Sequence, residues 1–342
     1  MSILTNLFSL LGDNSLATGI IPSMTFLLAI LVVFDPIIKT SFVFQQQNNA
    51  DFLILLGLLI VIPIVILSYL LIALNTYIIR IFSGHTFIHR LPIVRSLELK
   101  RAVKLATRRE ELKKHILDLE RKKRKSAETN NQLSKLKDEY YSVSAEYEYS
   151  YPPLDAGIQP TQFGNIIRAS EAYTGTHYGQ DKFAFWPLLI SVIPDKYRKE
   201  IDSARNELAI LVNMSLLAFI FSLICLFAIA MNSSGSFLQN LNIPINLDGF
   251  EHVFRYALAS VIAIYCSRFF NQAALHSVSS YAILIRSAFD LYRLDLLENL
   301  RIPLPKNSIE EFEIWKNLGE LIVLGQESLD FVPLEYIHKG KS

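Results

Sequence analysis

Four apolar segments constrain this chain more than any other feature of its sequence. Residues 53–74 and 208–231 contain no charged side chain, and each reaches the roughly 20 residues that an α-helix needs to cross the hydrocarbon of a bilayer. Residues 16–38 and 253–270 are also strongly apolar, with charges only towards their ends. The four segments predict an integral membrane protein with four transmembrane helices.

The composition agrees with a membrane protein. Hydrophobic residues make up 51% of the chain, only 19% of the residues are charged, and the mean hydropathy is +0.30. Because this apolar excess is concentrated in a few segments, an ordinary soluble globule is excluded. The two cysteines, Cys225 and Cys266, both fall in apolar segments, which argues against a disulfide framework and against a thiol metal site.

The apolar segments come in two pairs, and this order sets the predicted domain organisation. An interfacial segment, a first pair of transmembrane helices, a polar insert, a second pair of transmembrane helices, and a stalk with a tail occupy residues 1–15, 16–79, 80–206, 207–270 and 271–342. No proline or glycine occurs between residue 253 and Pro303, so the fourth span is predicted to continue as a helical stalk to about residue 300. The expected fold is all-α, with a two-plus-two arrangement of spans.

The placement of lysine and arginine predicts which way the protein faces. Arg80, Arg90 and Arg95 follow the second span, whereas the loops at residues 40–51 and 232–252 contain no lysine or arginine. Because positively charged loops are retained on the cytoplasmic side of a membrane, both termini and the whole insert are expected in the cytoplasm.

Apolar residues at heptad-type spacings of three, four or seven mark two helices within the insert. They are Leu105, Leu112, Ile116 and Leu119 in the first helix, and Leu133, Leu136, Tyr140, Val143 and Tyr147 in the second. The pattern predicts a cytosolic antiparallel helical hairpin over residues 97–149. Each narrow stripe also suits a coiled-coil partner, so the hairpin is predicted to form a homo-oligomer or to bind a membrane-protein partner.

The first helix of this hairpin is strongly basic. Residues 95–125 hold thirteen lysines and arginines against five acidic residues. Three interpretations stay open: a solvated face near anionic lipids, a surface for a protein partner, or a nucleic-acid site. The last is the weakest, since aromatic residues for base stacking do not interleave with the basic run.

Residues 160–190 have the most distinctive sequence in the insert. Its candidate binding residues, together with two from the stalk, are Gly164, Asn165, Arg168, Glu171, Tyr173, Tyr178, Gly179, Asp181, Trp186, Asp290 and Arg293. Thr161 is placed to cap a helix, and Asp290 and Arg293 are one helical turn apart, which predicts an ion pair within the stalk. Either this stretch is a folded hinge with local charge pairs, or it is a docking site for a ligand or partner.

At these residues the chain resembles a group of uncharacterised bacterial multi-pass membrane proteins. The shared pattern is P-T-x-x-G-N-x-x-R-A-x-E, followed by Y-G-x-D and W-P-x-L, and it covers about thirty residues from Pro160 onwards. The resemblance implies a bacterial inner-membrane location for a multi-pass protein. It implies no activity, substrate or cofactor.

Sequence motifs of catalysis are not found. The chain has no phosphate-binding glycine loop, no nucleophile elbow and no H-E-x-x-H sequence. His85 and His89 have a spacing that can hold a metal, but they lack a third ligand and a general-base glutamate. Neither a cofactor nor a metal is predicted.

Three functional hypotheses follow from these observations. The first is a non-enzymatic membrane protein whose cytosolic helices mediate self-assembly or partner binding, as a signalling or effector element. The second is a channel gated by the cytosolic region, with spans lined by Ser215, Ser222, Ser260 and Ser267. The third and weakest is a membrane-interface enzyme that acts through Arg168, Glu171, Asp181 or Asp290.

Overall fold

The computed structural model describes residues 14–40, 50–84, 92–121, 127–179, 182–233 and 250–325, together with residues 333 and 336. Every regular element in these ranges is helical. The helices are α1 (Asn14–Thr40), α2 (Ala50–Phe82), α3 (Pro92–Arg121), α4 (Ala127–Ser150), α5 (Gln162–Tyr178), α6 (Lys182–Leu189), α7 (Asp195–Ser233), α8 (Phe250–Asn299) and α9 (Ser308–Leu324), with a short 3-10 turn at Leu154–Ala156. The predicted all-helical class is confirmed for the described residues.

Four of these helices are long and apolar enough to cross a membrane, by length and composition. The qualifying stretches are Ala17–Phe34 in α1, Gly57–Phe82 in α2, Asp195–Met231 in α7 and Glu251–Asn299 in α8. The prediction of four candidate spans is therefore confirmed. The helix α8 also continues to Asn299, as the lack of proline and glycine predicted. Most of the predicted interfacial segment, residues 1–15, lies outside the described residues.

The chain divides into two compact units. The first comprises residues 1–79 and 203–277, and the second comprises residues 80–202 and 278–342. Large apolar side chains on the first unit are solvent-exposed in the isolated chain, among them Leu28, Val32, Ile66 and Val261. An outer surface of this kind suits contact with lipid and not with water.

Within the first unit, small and polar residues bring the helices together. A Cβ on Gly19 of α1 would lie 2.5 Å from the carbonyl oxygen of Ser68 in α2, so only glycine permits this approach. The buried Asn213 of α7 donates from Nδ2 to the carbonyl of Thr18 at 3.0 Å. These contacts join three of the four candidate spans.

The serines considered for a pore also join helices. The hydroxyl of Ser215 donates to the carbonyl of Ser267, and the hydroxyl of Ser267 donates to the carbonyl of Ser215, each at 3.0 Å. Ser260 donates to the carbonyl of Ser222 at 3.4 Å. The side chains of Ser215, Ser260 and Ser267 therefore serve α7–α8 packing, as serines in membrane helices commonly do.

In the second unit, α3 and α4 contact each other and bury the apolar stripe that the sequence shows. Leu112, Ile116 and Leu133 are all buried. Three ion pairs cross between the two helices, Lys137–Glu120 at 2.7 Å, Arg108–Glu139 at 2.6 Å and Arg109–Glu148 at 2.9 Å. The stripe is thus occupied by the neighbouring helix of the same chain.

The main core of the second unit lies where α6, α8 and α9 meet. Phe185 packs edge-on against the fully buried Trp315, with ring centroids 5.0 Å apart. Phe289 of α8 is fully buried in the same cluster. Burial of large apolar side chains is worth about 1.5–3 kcal/mol each, so this cluster is a principal source of stability for the unit.

Candidate functional site

The stretch of residues 160–190 begins with a closely packed helix start. Thr161 is the N-cap of α5, because its side chain accepts from the backbone N–H of Gly164 at 3.0 Å. The same hydroxyl donates to the carbonyl of Phe82 at 2.7 Å. A Cβ on Gly164 would lie 2.2 Å from the carbonyl oxygen of Ser83. The predicted cap is confirmed, and the glycine at position 164 is required by this backbone approach.

Asn165 is fully buried and closes a polar cluster with residues from three parts of the chain. Its Oδ1 accepts from the N–H of Gln159 at 2.7 Å, and its Nδ2 donates to the carbonyl of the same residue at 3.2 Å. Nδ2 also lies 3.4 Å from Oε2 of Glu98, to which the Tyr151 hydroxyl donates at 3.2 Å. The buried carboxylate of Glu98 completes its contacts with Arg101 at 2.6 Å.

A second polar cluster is centred on Asp290 of α8. Its Oδ1 accepts from the Tyr178 hydroxyl at 2.8 Å and from the Tyr173 hydroxyl at 3.0 Å. The two tyrosines lie on α5 and both were predicted site residues, so the structure brings three of the candidates together. The carboxylate holds α5 against α8 by two charge-assisted hydrogen bonds.

Two arginines flank this carboxylate without pairing with it. Arg293 pairs with Glu311 of α9 at 2.6 Å, and its guanidinium lies 4.2 Å from the ring centroid of Tyr178. It also donates to the backbone carbonyl of Asp290, not to its carboxylate. The predicted Asp290–Arg293 ion pair is therefore wrong, because α5 and α9 supply better partners for each residue.

Arg286, one turn before Asp290, is buried between aromatic rings. Its guanidinium lies 5.0 Å from the ring centroids of both Tyr149 and Tyr173. Nη2 donates to the carbonyl of Glu148 at 2.8 Å. Cation–π contacts of this kind strengthen when the cation is removed from water. Arg286 thereby links the end of α4 to α5 and α8.

The electrostatics of the two clusters keep their tyrosines protonated. Burial raises the pKa of Tyr151 to about 12, and the nearby carboxylate of Glu98 adds to the rise. Burial raises the pKa of Tyr178 too, with a further contribution from its hydrogen bond to Asp290. The pKa of Tyr173 is raised by burial and then by the charge of Asp290. These hydroxyls act as hydrogen-bond donors at neutral pH, not as bases.

The remaining predicted site residues lie outside the two polar clusters. Arg168 and Glu171 form the expected i,i+3 pair at 3.6 Å. Gly179 ends α5 in the left-handed region, at φ +72°, with its backbone close to the Phe312 carbonyl. Trp186 packs on Phe289 with ring centroids 5.9 Å apart, so it belongs to the core of the second unit. Asp181 lies outside the described residues.

Sequence reasoning missed the partners Glu98, Arg286 and Glu311. Glu98 is the single acid between residues 92 and 109, which is a weak local signal. Ser308 and Glu311 have the spacing of a capping box, but the N-cap is Asn307, whose side chain accepts from two backbone N–H groups. The Glu311 carboxylate does not cap the helix and pairs with Arg293 instead.

The described residues contain cavities but no metal centre. A cavity of about 420 Å³ in the second unit is lined by Arg109, Glu148 and Asp155 among others, and the first two form an ion pair. Across the described ranges, no three His, Cys, Asp or Glu side chains come together as metal ligands would. His85 and His89 fall outside those ranges.

Comparison with known proteins does not extend this description. No protein-family model, curated protein or solved structure matches the chain. A function for the protein therefore has to be argued from its own residues.

Proposed function

We propose that this chain is a non-enzymatic, multi-pass protein of the bacterial inner membrane whose cytosolic helices mediate self-assembly or partner binding. It would act as a signalling or effector element. The four apolar helices support the membrane assignment. The lysines and arginines after the second span support cytoplasmic placement of the insert and of both termini.

The observation that carries this proposal is the cluster at Asp290. Tyr173 and Tyr178 of α5 and Glu311 of α9 all bind residues of α8. The same helix contains the fourth apolar segment. A partner that shifts α5 or α9 therefore acts directly on the helix that enters the membrane. Such an arrangement suits transmission between a bound partner and the spans.

The use of polar groups within the clusters favours binding over catalysis. The carboxylate of Asp290 accepts from two tyrosines, and that of Glu311 pairs with Arg293. General acid–base catalysis needs groups with pKa values near neutrality that can reach a substrate. The tyrosines here have pKa values raised by burial, which is the opposite direction from what a base requires.

The α3–α4 pair is the proposed assembly element. Two of its three cross-helix ion pairs, Glu120 with Lys137 and Arg109 with Glu148, have the spacing expected of an antiparallel hairpin and support that proposal. Its apolar stripe is buried or half-buried within the chain, so a partner would use the outer surface. On that surface Tyr141 of α4 is 66% exposed, and tyrosine is enriched where proteins associate.

Cysteine cross-linking tests self-assembly directly. Full-length protein with Cys225→Ala and Cys266→Ala would carry Tyr141→Cys, be reconstituted in liposomes and be treated with a bismaleimide. We expect a cross-linked dimer whose yield does not fall as lipid is added in excess. The matched control is Ile309→Cys, which is 77% exposed on α9 and is expected to give no dimer.

Equal cross-linking at both positions, or a yield that falls with lipid dilution, would show that the copies meet by random collision. Either result would rule out self-assembly. If Tyr141→Cys gives no dimer, binding to a different protein would be tested with a photo-cross-linking residue at position 141 in cells. The channel alternative has less support, because three of the four serines expected to line a pore, Ser215, Ser260 and Ser267, donate their hydroxyls to a neighbouring helix.

A further inference from the structure

The first half of α3 presents one outward face that combines exposed lysines with exposed apolar side chains. Leu97 is 53% exposed and Val103 is 42% exposed. Lys100 and Lys104 are exposed on the same side, since Leu97, Lys100 and Lys104 follow one another at helical spacings of three and four. Leu99 lies one turn before Val103 and is also exposed. These five residues are called the α3 outer face.

The opposite side of the same helix is fully occupied. Ala102 is buried in a cluster with Tyr147, Tyr151 and Ile158. Glu98, the single acid between residues 92 and 109, is buried on this inner side and bound to Arg101 and Tyr151. The α3 outer face therefore carries positive charge without an acidic side chain of its own. Within the described residues, neither Lys100 nor Lys104 has a carboxylate within ion-pair distance.

A short segment of chain tethers this face to a candidate membrane span. The apolar stretch Gly57–Phe82 runs to the last residue of α2. Residues 83–91 connect it to the start of α3 at Pro92. A fully extended chain advances roughly 3.5 Å per residue, so Pro92 is at most about 35 Å from the end of α2. A basic helix tethered so closely to a span is placed to meet lipid headgroups.

We propose that the α3 outer face docks on anionic lipid headgroups. Lys100 and Lys104 would contact the phosphates, while Leu97, Leu99 and Val103 would enter the headgroup layer beside them. Exposed apolar residues next to lysines are typical of helices that lie on membrane surfaces. A soluble acidic partner would explain the lysines, but it would not explain the tether to a span. The proposal rests on the membrane assignment and is independent of self-assembly.

Fluorescence quenching by lipid tests this docking in the whole protein. The chain with Cys225→Ala and Cys266→Ala would carry Val103→Cys labelled with a fluorophore, in nanodiscs that each hold one copy. Lipids with a nitroxide on the headgroup quench a nearby fluorophore. We expect stronger quenching in discs that contain phosphatidylglycerol than in discs of phosphatidylcholine alone. The difference should shrink at high salt, because screening shortens the reach of charge to a few ångströms.

Charge variants separate the face from the general basicity of α3. Each lysine near the surface contributes a factor of about five in binding, so Lys100→Glu with Lys104→Glu should lower the ratio of docked to free helix by about 25-fold or more. The matched control is Lys113→Glu with Lys114→Glu, an equal charge change about 15 to 20 Å further along the helix, which should leave quenching unchanged. All four lysines are exposed, so both variants should fold.

The outcomes decide the proposal. Quenching that is equal in the two lipids would overturn it, as would equal loss in the two charge variants. Quenching as strong at Leu117→Cys as at Val103→Cys would also overturn it, because Leu117 is exposed on α3 but lies outside the face. Since each disc holds one copy, a failure of self-assembly leaves this measurement unaffected, and the two failures are distinguishable.

Discussion

At the scale of single residues, Glu98 joins three stretches of the second unit. Its carboxylate meets Arg101 on its own helix, Tyr151 after α4, and Asn165 in α5. A buried carboxylate is tolerated only when donors surround it. From the sequence alone Glu98 is one acid in a basic run, because its burial depends on residues 151–165 folding back onto α3. Local spacing carries no information about that contact.

The hydroxyl of Tyr151 gives this cluster a predictable response to pH. Its pKa is raised from 10 to about 12, so the folded state holds the proton more tightly than the unfolded chain does. The resulting stabilisation is fully present below pH 10 and is lost as pH rises from 10 to 12. We expect a loss of up to about 2 kcal/mol in the free energy of unfolding over this window.

Thermal unfolding of full-length protein in nanodiscs, followed by circular dichroism, measures this response. Tyr151→Phe should be less stable at neutral pH by about 1.5–3 kcal/mol, because one hydrogen bond to a charged acceptor is gone. It should also fall less steeply from pH 10 to pH 12 than the parent. Tyr141→Phe, at an exposed position, is the control and should follow the parent curve. A Tyr151→Phe curve parallel to the parent would contradict the assignment.

At the scale of elements, α8 shows why local pairing rules fail in a packed core. Asp290 and Arg293 are spaced for an ion pair, but such pairs contribute only about 0.2–0.5 kcal/mol on a helix. Hydrogen bonds to a charged group contribute about 1.5–3 kcal/mol, and α5 and α9 present the partners that make them. Contacts between helices therefore outweigh contacts within one helix. The sequence indicated the candidate residues but not their partners.

Removal of the Asp290 charge should loosen α5 from α8. Asp290→Asn keeps the shape of the side chain but replaces two charge-assisted hydrogen bonds with weaker ones, so we expect a loss of about 1–3 kcal/mol in unfolding free energy. The measurement is denaturant unfolding, with protection of α5 backbone amides from hydrogen exchange as the local readout. The exposed Asp295→Asn, on the same helix, should change neither.

A double variant checks that the loss arises from this contact. Tyr178→Phe with Asp290→Asn should destabilise by less than the sum of the single changes, because Tyr178→Phe removes the hydrogen bond that Asp290→Asn weakens. Additive losses, or an equal effect of Asp295→Asn, would show that Asp290 acts through something other than the Tyr178 hydroxyl.

At the scale of the whole molecule, hydropathy and helix-breaking residues predicted what the tertiary contacts did not. The four spans and the unbroken run of α8 follow from long apolar stretches and from the lack of proline and glycine. The close approaches at Gly19 and Gly164 do not follow, because glycine in a helix is explained only by the backbone that faces it. The side of the membrane on which the insert lies is inferred from the placement of lysine and arginine, and it stays a prediction.

Labelling of single cysteines tests that orientation for the entire chain. In a background of Cys225→Ala and Cys266→Ala, Gln46→Cys and Ser236→Cys lie in the two loops that lack lysine and arginine. We expect a membrane-impermeant maleimide to label both from outside intact spheroplasts, and to label Tyr141→Cys only after lysis. The reason is that translocation of basic segments is disfavoured. Labelling of Tyr141→Cys from outside would reverse the orientation. Labelling of Gln46→Cys and Ser236→Cys from opposite sides would instead show that a segment between them fails to cross, and the two-plus-two arrangement would be wrong.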